Sequence, residues 1–91
     1  MKTLNELINE LGNFKYVRKL NNNQYEVVFE KGFLFQSYQT IMAIKTWYGT
    51  YVRENWKISK TTSKYLYKFF DLDRKEFLQK LKENKIQYFK D

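Results

Sequence analysis

The sequence predicts an α+β fold, an antiparallel meander of four to five strands with an N-terminal helix and two C-terminal helices packed on it. Three observations predict it. Apolar residues recur at helical spacing near the N-terminus and again after Ser63. Between Phe14 and Arg53 the period falls to two, and turn residues punctuate the run. Finally, 91 residues leave room for one core, so a single domain over 1–91 is expected.

The first helix is announced by Thr3-Leu4-Asn5-Glu6, a capping box in which the Thr3 hydroxyl and the Glu6 carboxylate each satisfy the other's backbone amide. Leu4, Leu7, Ile8 and Leu11 form one apolar stripe, and Gly12 supplies a left-handed stop. From Phe14 the chain turns extended, with Phe14, Tyr16 and Leu20 on one face. Asn21-Asn22-Asn23 is a turn, because Asn tolerates positive φ. Tyr25, Val27 and Phe29 then alternate with Gln24, Glu26 and Glu30 as a half-buried strand. After a turn at Lys31-Gly32, Phe33-Leu34-Phe35 carries apolar residues on both faces, which fits a central strand under a helix. Ile41–Trp47 and Thr50–Arg53 form a hairpin whose turn, Tyr48-Gly49, uses glycine for the positive-φ position.

Trp56–Phe70 holds four lysines and no acid. Ser59 or Thr61 caps its helix. Tyr65, Leu66, Phe69 and Phe70 face inward, and Lys60, Lys64 and Lys68 recur one turn apart outside. Asp73-Arg74-Lys75-Glu76 is a second capping box, opening a helix with Phe77, Leu78 and Leu81 inside. Ile86–Phe89 is an extended tail available as an edge strand.

Composition bounds the chemistry. There is no Cys and no His, which removes the thiolate nucleophile, the commonest metal ligand and the usual neutral-pH base. The sequence therefore argues against an enzyme and implies no cofactor. The glycines are isolated, so no phosphate-cradling loop exists, and Glu26 and Glu30 read as a solvated strand face. No apolar run is long enough to span a membrane. Acids occupy the N-terminal stretch where a signal peptide has its apolar core, so a cytoplasmic setting is expected.

The net charge of +7 is lopsided: residues 1–44 hold five basic and four acidic side chains, whereas residues 45–91 hold twelve and six. Such a field attracts phosphates or an acidic protein surface, with a merely solvated lysine face as the bland alternative. The candidate contact residues are Lys57, Lys60, Lys64 and Lys68, with Arg53 beside them. Tyr48, Tyr51 and Tyr67 are the candidate aromatic contacts.

Ser37-Tyr38-x-Thr40-x-x-Ala43, followed by Trp56-x-x-Ser59-x-Thr61-Thr62-Ser63-Lys64-x-Leu66, resembles a group of small uncharacterised proteins of phages and mobile elements. The resemblance spans roughly Phe29–Phe70, and the chain departs from it at Tyr65, where relatives often carry His. It implies a mobile-element context, an extended hairpin before Trp56 and a helix starting near Thr61. The function expected from these strands of argument is an accessory protein that occupies a protein or ribonucleoprotein target, an anti-CRISPR-like inhibitor of a host-defence nuclease acting in the host cytoplasm. The alternative is a basic nucleic-acid-binding protein using the Lys57/Lys60/Lys64/Lys68 face.

Overall fold

A computed structural model describes all of residues 1–91. Strand β1 (Lys2–Thr3) leads directly into helix α1 (Leu4–Glu10). Strands β2 (Phe14–Asn21), β3 (Gln24–Phe29), β4 (Gly32–Ser37), β5 (Thr40–Thr46) and β6 (Gly49–Arg53) follow as an antiparallel meander. Helices α2 (Lys60–Phe70) and α3 (Arg74–Lys82) then carry the chain back to strand β7 (Gln87–Lys90). The sheet has seven strands in the order β1-β7-β6-β5-β4-β3-β2.

The α+β class and the three helices agree with the sequence reading. The sheet is larger than predicted, and it is mixed rather than antiparallel. Parallel neighbours need a crossover, and α2 with α3 supplies one, so the tail lands beside β6 in parallel register, Val52 opposite Tyr88. The tail is therefore interior rather than an edge, because Lys2 and Thr3 pair along its other side. The sheet edges are β1 and β2.

Both predicted capping boxes form, at Thr3/Glu6 and at Asp73/Glu76. Gly12 takes φ 75° after α1, and Asp71 ends α2 at φ 57°, a left-handed position that Asp tolerates. Gly49 does not take the positive φ expected of it. The turn residues are Trp47 and Tyr48, and the Thr46 hydroxyl accepts from the Tyr48 amide at 3.0 Å to hold the bend. Gly32 is the glycine demanded by close approach: a Cβ there would sit 2.0 Å from the Lys45 carbonyl oxygen and 2.7 Å from Leu11.

Alternation along the central strands sends consecutive side chains to opposite faces, and each face has its own core. Leu34, Ile44, Tyr51 and Phe89 pack beneath Leu7 and Leu11 of α1. Phe35, Ala43 and Val52 pack on the other face beneath Leu66 and Phe69 of α2 and Phe77 of α3. The helical layer of α2 reaches only the Arg18–Leu20 end of β2. Phe14, Tyr16 and Val17 consequently stay exposed, and only Leu20 of that strand is partly covered. In β3 the fully buried residues are Gln24 and Val28, while Tyr25, Val27 and Phe29 are half-buried.

Candidate nucleic-acid interface

The start of α2 is fixed by hydroxyl groups and one indole. Ser59, not Thr61, is the N-cap, and its side chain accepts from the Thr62 amide at 3.1 Å. Thr62 is buried on the inner side of the first turn, and its hydroxyl meets that of Ser37 at 2.9 Å and that of Ser59 at 3.0 Å. Ser37 closes β4, so this chain of hydroxyls pins the helix start to the β4–β5 end of the sheet. Trp56 is buried in the preceding loop, edge-on to Phe77 at 5.0 Å. With Trp56 and Thr62 inside, the residues around them, Lys57, Lys60 and Lys64, are left outside.

These three lysines converge with Arg74, at the start of α3, on one open cleft of about 760 Å³. Ser59, Ser63 and the ring of Tyr67 complete its walls, and Ile58 stands 62% exposed at its rim. No carboxylate lines the cleft. The four ion pairs of the molecule use other residues, so all four cations of the cleft lack an acidic partner. The first turn of α2 carries no acid either, so the positive end of the helix dipole adds to the same field. Arg74 escaped the sequence reading because it belongs to the next helix. The packing that brings it to the same cleft as Tyr67 is a tertiary fact.

The other candidates separate. Lys68 lies one face further round α2, 5.2 Å over the Tyr65 ring, and shares a second depression with Arg18 of β2. Tyr67 is half-buried, edge-on to Trp56 at 6.3 Å and tilted on Phe77 at 5.3 Å, and presents its remaining surface to the cleft. Tyr48 is 78% exposed at the β5–β6 tip. That tip is a strand length, roughly 20 Å, from the end where α2 begins, so Tyr48 does not share a surface with the cleft lysines. Tyr51 is a correction: it lies 5% exposed in the core under α1 and offers no stacking face.

Arg53 is also committed elsewhere. Its Nε donates to the Ile41 carbonyl at 2.7 Å, and its two terminal nitrogens grip the Asp91 carboxylate at 2.7 and 2.9 Å. Those bonds hold the Asp91 carboxyl below its usual range. Lys45 is a further structural cation. It donates to the Phe69 carbonyl at 2.6 Å near the end of α2, lies 4.2 Å over the Phe69 ring, and burial lowers its pKa.

No three metal-ligating side chains come together, and no helix is long and apolar enough to cross a membrane. Fold and site together define a small α+β protein with a mixed sheet and one acid-free basic cleft. The chain belongs to a family of unknown function (DUF8033), which matches it over residues 3–87. Comparison with curated proteins and with solved structures gives no match.

Proposed function

We propose that the protein binds nucleic acid by its phosphate backbone in the cleft at the start of α2. One observation carries this reading: four unpaired cations from a loop and two helices face a single cleft that contains no carboxylate. Lys60 and Lys64, one turn apart, repel each other and weaken an isolated helix slightly. An anion in the cleft converts that repulsion into attraction, and spread cations on an open surface match a chain of phosphates better than one small anion. The serine hydroxyls and Tyr67 add hydrogen bonding and a ring face for the sugar or base.

The test is a fluorescence titration of labelled oligonucleotides against wild-type protein and the Lys60→Glu/Lys64→Glu double variant. Both lysines are exposed, and acids in the first turns of a helix favour its dipole, so the variant should melt like the wild type. Its affinity should fall by about tenfold or more. Equal affinity for both proteins would make the lysine ladder a solvated face.

A second reading is favoured by the β5–β6 tip, where Trp47 and Tyr48 stand 74% and 78% exposed. Adjacent exposed aromatics are the side chains that anchor protein interfaces. In that reading the protein is a phage or mobile-element inhibitor of a host-defence nuclease, working in the host cytoplasm. The tip would hold the protein part of a ribonucleoprotein and the cleft its nucleic acid. A complex that survives nuclease digestion and is lost in Trp47→Ser would establish it over the first.

A further inference from the structure

We infer that the nucleic acid is a single strand, running from the cleft across the outer face of α2 to the β2 edge; this rests on the nucleic-acid reading of the cleft. Lys64 belongs to the cleft and also lies 5.8 Å over the Tyr65 ring. Lys68, one turn on, lies 5.2 Å over the same ring and lines the second depression. Arg18 on β2 forms the far wall of that depression. Two residues back on the same face of the strand as Arg18, Tyr16 is 54% exposed. Cations and rings thus follow one another from Lys64 through Tyr65, Lys68 and Arg18 to Tyr16.

That succession is what an unpaired strand requires, with phosphates on the cations and base faces on the rings. A duplex hides its base faces, and the exposed ring of Tyr16 would then meet only backbone. One carboxylate interrupts the path: Glu26 pairs with Arg18 at 2.9 Å. It is largely buried beside the guanidinium, so it orients Arg18 while Lys68 keeps the path positive. A partner protein adding a strand to this edge fits less well. Register shifts at Phe14/Tyr16 and Lys19/Asn21 interrupt the ladder, and three cations with no acid blunt the strand. The longest dimension of the molecule is 32 Å, which limits the path to the short end of the roughly 4–16 nucleotides known for single-strand sites.

The experiment measures fluorescence anisotropy of 12-mer oligothymidylate, oligouridylate and a mixed-sequence duplex with the full chain. Wild type, Tyr16→Ala, Lys68→Gln and Lys60→Glu/Lys64→Glu are compared, each checked by thermal melting. The strands are expected to bind about tenfold more tightly than the duplex. Tyr16→Ala and Lys68→Gln should each weaken the strands by about five- to tenfold and leave the duplex unchanged. Should Tyr16→Ala melt early, Lys68→Gln carries the test alone. Equal affinity for strand and duplex, or wild-type affinity in the edge variants, overturns the single-strand path while leaving the cleft intact. No binding of any oligonucleotide by the wild type overturns the cleft reading and the path with it.

Discussion

The Thr62 hydroxyl sits between those of Ser37 and Ser59, and all three are drawn together where α2 meets the sheet. Thr62→Val keeps the shape of the side chain and removes the shared partner, leaving the buried Ser37 hydroxyl unsatisfied. Such a loss costs about 1–2 kcal/mol. For a domain of this size that lowers the melting temperature by roughly 5–15 °C, and an unchanged melt would show that the hydroxyl chain does not hold the helix. Local chemistry made Ser59 readable as a cap. Nothing local showed that Thr62 would reach back 25 residues to Ser37. Tyr51 teaches the same lesson in reverse. Alternation places it on a sheet face, but whether that face is covered depends on where α1 packs.

At the scale of elements, features closed within four residues were legible. Both capping boxes and the glycine stop of α1 need only their own neighbours. The β2–β3 hairpin followed from period and turn residues, and the β3–β4 turn falls one residue earlier than expected, at Glu30-Lys31. The β4–β5 turn at Tyr38-Gln39, with Tyr38 at φ 56°, carries no glycine or asparagine to announce it, and the β5–β6 turn is made by Trp47 and Tyr48 with help from Thr46 rather than by a positive-φ glycine. Strand β7 was read as a tail because its partner β6 is separated from it by two helices, and parallel pairing leaves no turn signature. Its interior place has a consequence. A chain ending at Lys85 loses Ile86 and Phe89, which are buried on opposite faces of the sheet, strips β1 of its only partner and bares one side of β6. Losing two buried side chains of this size costs about 5 kcal/mol or more, comparable to the whole stability of a small domain. The truncated chain should show no cooperative thermal transition by circular dichroism. Cooperative melting near the full-length temperature would mean that β7 is dispensable.

Across the whole molecule, the charge excess of the second half was plain in the sequence, and its focus was not. Helical spacing put Lys60, Lys64 and Lys68 on one outer side, yet eight residues of helix rotate Lys68 out of the cleft and toward β2. Arg74 takes its place from α3. Composition announced the cations, and tertiary packing chose which of them share an acid-free surface. The central claim, phosphate recognition by that surface, carries its own signature in salt. Neutralising three or four phosphates of a single strand releases their counterions, so log affinity should fall linearly with log salt at a slope of about −2 to −3. The direct measurement is wild-type affinity for a 12-mer single strand at a series of sodium chloride concentrations. A slope in that range is the expected result, and a slope near zero, or no binding at low salt, would contradict the account.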